Sequence, residues 1–431
     1  MSKTVSLDTL LASMQARRQD SSLSAAPWLG ALLEQAGEKF AQSGLPNRRV
    51  EAWRYSDLAK ALRDAVKPDA VIDAPPDFPG ACVAAFENGV LVKNASSYCA
   101  MGAKSLRDVL SDKDESVASF IGKVNPQQDH AIINLNTALM EEGVVLHVPK
   151  DVTLARPLHL RFNWTGAQQG DDGRHLRILI VLEEGAKATI FETHDGAPDF
   201  ATIVSEFSLA AGSKLTHVRL ENFGAAARQT AATIADIGEK ALYRGFYLSQ
   251  GGHFARHEAL LKLSGEESEA QMDGATLVAD RRHCDNTTVV HHAAPNTSSK
   301  QTFRSVLAGA GRAVYQGCVK VAQFAQKTDA KQLSRAMLLS HRTEYVTKPE
   351  LEIFADDVKC SHGATAGELD ANVLFFLRAR GIPEADARAM LVEAFLSEAL
   401  DAIDNEALRE LASARTRIWL SRHASEASHV E

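Results

Sequence analysis

Two residues towards the C-terminus could together bind a soft metal. Cys360 and His362 follow directly on Leu351–Val358, a run whose composition predicts a β-strand. On a strand, residues at positions i and i+2 share a face and lie about 6.6 Å apart, so one ligand can contact both. Thiolate and imidazole suit iron–sulfur clusters, zinc and Cu(I). Two ligands do not complete a site, so we expect the others to come from elsewhere in the chain or from a second subunit.

A second group of candidate ligands lies in the middle of the chain, where the spacing does not favour a metal. His253 and His257 would share the face of a helix, but their surroundings predict a strand, on which four residues span about 13 Å. One ion cannot bridge that distance, so we expect surface histidines there. His283–Cys284 and His291–His292 bring no third ligand to one point, and we expect the cysteine to be a buried packing residue.

The familiar catalytic fingerprints do not occur in this sequence. It has no G-x-S-x-G elbow, no P-loop and no G-x-G-x-x-G segment, so hydrolase, nucleotidase and dehydrogenase activities lose their usual support. Asp356 and Asp357 are adjacent, and on a strand they would point to opposite faces rather than form a catalytic pair.

Composition and charge exclude several classes of partner. With 47 Lys and Arg against 55 Asp and Glu, the net charge is −8, which gives no bulk attraction to nucleic acid or to an anionic membrane. No apolar run approaches the roughly 20 residues of a membrane helix, and Met1–Asp20 lacks the features of a secretory signal. The 5 cysteines form no C-x-x-C pair, which favours a reducing cytoplasm over a disulfide framework.

A glycine that recurs every 26–27 residues predicts the fold class. The glycines are Gly185, Gly212, Gly238 and Gly265. Each precedes a run that reads as a strand, namely Ala188–Thr193, Leu215–Glu221, Leu242–Leu248 and Ala270–Val278. In the second run the apolar residues alternate with polar ones, which is the period of a half-buried strand. Evenly spaced turns and strands predict a β-solenoid. A β-sandwich with regularly spaced hairpins is the alternative.

Three breaks divide the chain into regions. They are the proline-rich Lys67–Gly80, a softer break at Asn125–Asp129 and the segment Gly363–Asp370. We therefore expect a mostly helical region over 1–130, a solenoid core over 131–362 and a helical region over 363–431. In the first region the residue types predict helices over Leu29–Phe40 and Glu51–Ala65.

The last region predicts two successive helices. The first runs over Asp370–Arg380 and ends at Gly381, while Pro383 opens the second. Apolar residues of the second helix, among them Met390 and Phe395, cover more than one face, so this helix needs more than one packing partner. We expect the helices to seal the end of the solenoid, to dock another protein, or both.

Three segments of the chain resemble a known family. Lys348–Thr365 closely resembles the C-terminal signature of the SufB/SufD family, which builds the scaffold for iron–sulfur cluster assembly in the SUF system, and the likeness continues through Leu374–Ile382. Pro46–Ser56 resembles the family's other recurrent stretch. Gly363 stands where the SufB branch carries Glu, and Ser334 lies near the position of that branch's cysteine. Both differences favour the SufD branch.

The resemblance implies a fold and a role. The implied fold is a right-handed parallel β-helix core with N- and C-terminal helical regions. The implied role is that of a non-enzymatic scaffold subunit that pairs with SufB, with a nascent iron–sulfur cluster held transiently at their interface and no cofactor bound stably by the chain alone. His362 would contact the cluster, with Cys360 beside it. The C-terminal region would dock the ATPase SufC through Phe376, Arg380, Gly381, Ile382, Met390 and Phe395, and the isolated chain could form a homodimer.

Two other functions stay open at this point. A β-helix carbohydrate-active enzyme would need an aromatic-lined groove with clustered acids, whereas aromatic residues make up only 6% of the chain and no acid pair emerges. A mononuclear metalloprotein would use the central histidines.

Overall fold

The computed structural model describes residues 5–18, 27–69, 78, 80–112, 115–123, 130–165 and 172–423. The predicted break at Asn125–Asp129 lies outside the described residues, as does most of the proline-rich segment.

Strands dominate the middle of the chain. Their bounds are β1 Cys82–Glu87, β2 Val90–Leu91, β3 Lys104–Ser105, β4 Glu142–Val148, β5 Leu158–Trp164, β6 Arg174–Leu182, β7 Lys187–Gly196, β8 Ala201–Leu209, β9 Lys214–Phe223, β10 Arg228–Ile237, β11 Leu242–Ser249, β12 Phe254–Leu263, β13 Glu269–Val278, β14 His283–His292, β15 Ser298–Leu307, β16 Arg312–Val321, β17 Asp329–Leu338, β18 Glu344–Ile353 and β19 Lys359–Gly367. The last strand continues past residue 362, where the predicted core ends.

From β4 onwards the strands form a parallel solenoid of two facing sheets. Odd-numbered strands from β5 to β19 follow one another in a ten-stranded sheet, and even-numbered strands from β4 to β18 do so in a nine-stranded sheet. Each strand therefore pairs in parallel with the strand one coil later, as Lys187 does with Lys214 and Leu242 with Glu269. The solenoid prediction is confirmed, and the β-sandwich alternative is wrong because the pairing is parallel.

The recurring glycines lie at one corner of successive coils, where they solve two different steric problems. Gly185 and Gly212 have φ of 68° and 66°, in the left-handed region that a side chain disfavours. Gly238 and Gly265 allow close contact between coils instead. A Cβ at Gly265 would lie 1.9 Å from the backbone nitrogen of Glu239, and one at Gly238 would lie 2.7 Å from a backbone oxygen.

The side chains of β9 show how the interior is built. Leu215 belongs to the main hydrophobic core between the sheets, so residues in phase with it, including His217 and Arg219, face the interior. Val218 and Leu220 face outwards, where the C-terminal helices cover them. The expectation of a half-buried strand was therefore wrong: both faces are buried, and the polar face is the inner one.

The helices lie at the two ends of the sequence. Their bounds are α1 Leu7–Arg18, α2 Pro27–Ser43, α3 Leu58–Ala61, α4 Leu106–Ser111, α5 Ala131–Leu139, α6 Ala371–Ala379, α7 Glu384–Leu400 and α8 Glu406–His423. None of the described helices is both long and apolar enough to cross a membrane.

The N-terminal helices cover the outer face of the nine-stranded sheet. Ile133 of α5 packs on Val204, Ile234 and Leu260 from three successive coils. The helix predicted over Glu51–Ala65 is broken into a 3₁₀ turn, Glu51–Trp53, and the short α3. Asp57 caps α3 by accepting a hydrogen bond from the amide of Lys60, so the chain turns at this point instead of continuing as one helix.

The C-terminal helices cover the outer face of the ten-stranded sheet. Val392 and Leu396 of α7 and Trp419 of α8 pack against Leu248 and Leu277 of the sheet. The expectation that these helices seal the end of the solenoid was wrong, because their apolar residues pack against its side, on the outer face of the ten-stranded sheet. Gly381 has a φ of 85° and follows α6, as its predicted terminating role requires.

The two ends of the solenoid differ. At the N-terminal end, the short strands β2 and β3 pair antiparallel with β1 and β4 and close each sheet. At the other end, β19 and β18 are the last strands of their sheets, with one edge of each unpaired by any described strand. We call this second end, formed by β18 and β19, the open end.

Candidate functional site

Cys360 and His362 lie on the terminal strand of the open end. Cys360 is half-buried and packs against interior residues that include Val319 and Ala330. His362 shares its face by strand alternation and is exposed, because no further coil covers it. The structure therefore places both predicted ligands on the inner face of the last coil, at its mouth.

The thiol of Cys360 is protonated in the isolated chain at neutral pH. Its partial burial raises its pKa, and the nearby carboxylate of Asp329 acts in the same direction. A metal or cluster must therefore displace the proton to gain a thiolate ligand. Among the described residues, no three His, Cys, Asp or Glu side chains are arranged to hold a metal ion. Cys360 and His362 therefore supply two donors of the types that suit an iron–sulfur cluster, and no third described side chain joins them.

The surroundings of the two predicted ligands are polar. Ser334 is fully buried one coil below the mouth, and its hydroxyl hydrogen-bonds to that of Tyr345. Gln332 is buried beside it and pairs in register with His362. Sequence reasoning missed Gln332, since only the coil-to-coil register brings it next to His362. It also missed Tyr345, whose contact with Ser334 joins the two facing sheets.

Deeper in the solenoid lies a second buried group, which we call the central polar cluster and which comprises Glu192, His194, His217, Arg219 and Glu221. Glu192 contacts His194 at 2.8 Å, His217 at 3.0 Å and Arg219 at 2.5 Å. The guanidinium of Arg219 also reaches Glu221 at 2.8 Å. The alternating pattern of β9 could have shown that His217, Arg219 and Glu221 share a face, but not that the face points inwards.

Electrostatics keep this cluster charged. Burial alone would raise the pKa of Glu192, but Arg219, His194 and His217 outweigh it and hold the pKa well below its usual range. Burial dominates at His194 and lowers its pKa to about 4, so that imidazole is neutral at pH 7. The cluster is therefore an ion pair between Glu192 and Arg219, with the neutral imidazole of His194 hydrogen-bonded to the carboxylate.

The central histidines are not all surface residues. His257 is buried, and its ring lies 3.9 Å from that of Tyr247, so the expectation of a surface position was wrong for this residue. His253 is half-buried and contacts Asp64 at 3.3 Å. Cys284 is a buried packing residue, as predicted, with its sulfur 3.0 Å from the hydroxyl of Ser249.

The segment Pro46–Ser56 is anchored on the nine-stranded sheet. The indole of Trp53 is buried, stacks on Phe254 and lies 4.1 Å from the guanidinium of Arg256. Two residues before Trp53, Glu51 forms a 2.9 Å ion pair with Lys348 of β18. This segment therefore ties the N-terminal region to the last strand of its sheet.

The predicted ATPase-docking residues differ in exposure. Phe376 and Met390 are 53% and 49% exposed, and the guanidinium of Arg380 lies 3.5 Å from the centre of the Phe376 ring. Gly381 is exposed and Ile382 is half-buried. Phe395 instead packs on the solenoid side, with its ring 4.9 Å from the guanidinium of Arg304.

Comparison with known proteins agrees with the solenoid and its flanks. Residues 164–395 match the family profile described as "SUF system FeS cluster assembly, SufBD core domain". Residues 88–160 match the profile "SufBD protein N-terminal region".

Relatives match along most of their length. An iron–sulfur cluster assembly SufBD family protein of Synechocystis is 31% identical, with 86% of this chain and 88% of that protein covered. The iron–sulfur cluster assembly protein SufD of Escherichia coli is 29% identical over 88% of this chain and 90% of its own length. The chloroplast protein ABCI7 of Arabidopsis thaliana is 26% identical over 91% and 87%.

The parallel solenoid and these comparisons define a component of iron–sulfur cluster assembly. The chain belongs to the SufBD family of the SUF system, and it resembles SufD over most of its length. These comparisons do not favour the carbohydrate-active alternative.

Proposed function

We propose that this chain is a non-catalytic scaffold subunit that pairs with SufB at its open end, presents Cys360 and His362 to a nascent iron–sulfur cluster, and docks SufC through its C-terminal helices. In this role the cluster is cargo that leaves the complex, and the chain alone retains none. We further propose that it works in the cytoplasm, where its cysteines stay reduced.

The observation that carries the proposal is the open end itself. Unpaired edge strands invite pairing with another chain, and folded proteins normally cover or disrupt them. The amide of Lys359 donates to the carbonyl oxygen of Thr328, the residue just before β17. Because a parallel ladder alternates from residue to residue, the amides of Cys360, His362 and Ala364 point to the unpaired edge. A second chain that pairs there would bring its own side chains close to both ligands.

The chemistry of Cys360 and His362 supports an iron–sulfur cluster as the cargo. A thiolate and an imidazole suit an iron–sulfur cluster, and the two ligands that a second chain adds would complete a four-ligand set. The same edge could pair with another copy of this chain when SufB is absent, which gives the homodimer that we expect in isolation.

The docking proposal for SufC is supported by an unusual helix. None of the residues of α6 is buried, although Val373, Phe375 and Phe376 are apolar. An exposed apolar patch of this kind is typical of a protein interface. Arg380, stacked on Phe376, adds a cation that an acidic partner surface would match.

Pairing can be tested through the unpaired edge. Ala364→Pro removes an amide that points away from β17, so the fold should survive while pairing is lost. Co-expressed with SufB and SufC, the unmodified chain should purify in a complex of one SufB, one copy of this chain and two SufC, measured by light scattering. Ala364→Ser, which keeps the amide, is the matched control. A complex that forms equally well with the proline variant would refute edge pairing.

Docking of SufC can be tested independently. Phe376→Asp should reduce the complex from two SufC to one while SufB stays bound, because SufB would carry the other copy. Val152→Asp is the matched control, because Val152 is also an exposed apolar residue but lies on a turn of the solenoid. A complex of the Phe376 variant that still holds two SufC would rule out this surface.

A further inference from the structure

Gln332, at the open end, has a buried side-chain amide without a hydrogen-bond partner among the described residues. Its side chain is 4% exposed, and neither the oxygen nor the nitrogen of its amide has a hydrogen-bond partner among the described residues. Buried amides without partners are costly and uncommon. Leucine would fill similar space without that cost, so the amide calls for an explanation other than packing.

The register places this amide directly beneath His362. The two residues are paired between β17 and β19, about 4.8 Å apart across the sheet. Both belong to the interior face, because Gln332 alternates with the interior residues Ala330 and Ser334. One coil deeper the same column holds Gln301, whose amide oxygen accepts hydrogen bonds from Thr288 and Tyr315. Gln332 therefore differs from its neighbour in the column by having no assigned partner.

We propose that Gln332 is a positioning residue for His362. An imidazole that binds a metal through one nitrogen normally donates its other N–H to a fixed acceptor, which sets the tautomer and the orientation of the ring. Gln332 pairs with His362 in the register and carries an amide oxygen without a partner, which can serve as this acceptor. This inference rests on the proposed role of His362 as a cluster ligand, and it adds the residue that orients this ligand.

The proposal predicts opposite effects on stability and on cluster retention. Gln332→Leu removes an unpaired buried amide, so its melting temperature should be equal to or above that of the parent chain. The same change removes the acceptor for His362, so cluster affinity should fall about tenfold or more. Gln332→Glu restores an acceptor oxygen and should recover cluster binding. A purely structural role for Gln332 predicts neither the loss nor the recovery.

The test uses the complex with SufB and SufC, loaded anaerobically with ferrous iron and sulfide. Pulsed EPR of the reduced cluster reports the coupling to the imidazole nitrogen, and His362→Ala identifies that signal by its loss. In Gln332→Leu the coupling should change or broaden, and in Gln332→Glu it should return. Gln301→Leu is the matched control one coil deeper, where lost hydrogen bonds should lower the melting temperature and leave the nitrogen coupling unchanged.

The outcomes separate the two levels of the proposal. If the parent complex shows no nitrogen coupling that depends on His362, the proposed ligand role fails and the role of Gln332 fails with it. If that coupling is present but is the same in Gln332→Leu, with equal cluster retention, only the positioning role is overturned. A melting temperature well below the parent would assign the amide to structural support and also overturn it.

Discussion

Removal of Arg219 should destabilise the middle of the solenoid in a pH-dependent way. In Arg219→Met the side chain keeps its length but loses its charge, and the carboxylates of Glu192 and Glu221 remain buried without their cation. Loss of one partner from a buried ion pair costs about 3–5 kcal/mol. Because burial then dominates, the pKa of Glu192 should rise above its value in the unfolded chain.

The sign of the pH dependence follows from that rise. At pH 8 the carboxylate of Glu192 is charged, and the free energy of unfolding of the variant lies furthest below that of the parent. As the pH falls, Glu192 takes up a proton in the folded variant at a pH where it is still ionised in the unfolded chain. The deficit relative to the parent therefore shrinks by up to about 1.4 kcal/mol per pH unit.

Hydrogen–deuterium exchange on peptides that span β7 and β9 measures this deficit where it arises. The parent and the variant are compared at equal pH between 6 and 8. Arg417→Met is the matched control, because Arg417 forms an exposed ion pair with Glu410 on α8 that should be worth no more than about 1 kcal/mol. A deficit below about 1 kcal/mol in Arg219→Met, or one that does not change with pH, would refute the reasoning.

Three further predictions concern packing and titration. Gly265→Ala places a Cβ against the backbone of the previous coil and should lower the free energy of unfolding by about 1–3 kcal/mol, measured by urea denaturation. Gly30→Ala in α2 is the control and should not lower it, because no atom lies within 4 Å of the added Cβ. Trp53→Ala should cost about 3–5 kcal/mol in the same assay, against little change for the exposed Val50→Ala; equal effects would contradict the anchoring role. Burial lowers the pKa of His159, His175, His194, His283 and His292 to about 3 or 4, so the unfolded chain binds more protons below pH 6.5. Stability should therefore be full above pH 6.5 and fall steeply towards pH 4, and an unchanged urea midpoint between pH 7.5 and 5.5 would contradict this.

The solenoid could be predicted from sequence because its geometry repeats. Each coil must turn at the same corner, and at Gly185 and Gly212 the turn requires a backbone conformation that glycine adopts most easily. Because of that requirement, glycine recurs at a regular spacing in the sequence. The candidate pair Cys360 and His362 could also be predicted, because strand alternation alone places both residues on one face.

Other features depend on contacts that no local pattern records. The alternation in β9 separates its two faces but does not show which one points inwards. Both faces are buried, because the C-terminal helices cover the outer one. The contact of Trp53 with Phe254 joins residues about 200 positions apart. Gln332 became a candidate only when the coil-to-coil register placed it beneath His362.

The difference between the two ends of the solenoid also bears on how large the proposed assembly can grow. Among the described strands, the two-residue β2 and β3 are the last at the N-terminal end, and they leave a much shorter edge than β18 and β19 do. In the proposed pairing, two such chains joined through their open ends, whether identical or related, would use up both long edges. A stack with two long open edges would polymerise into a fibre, whereas the proposed pairing would terminate at two solenoids.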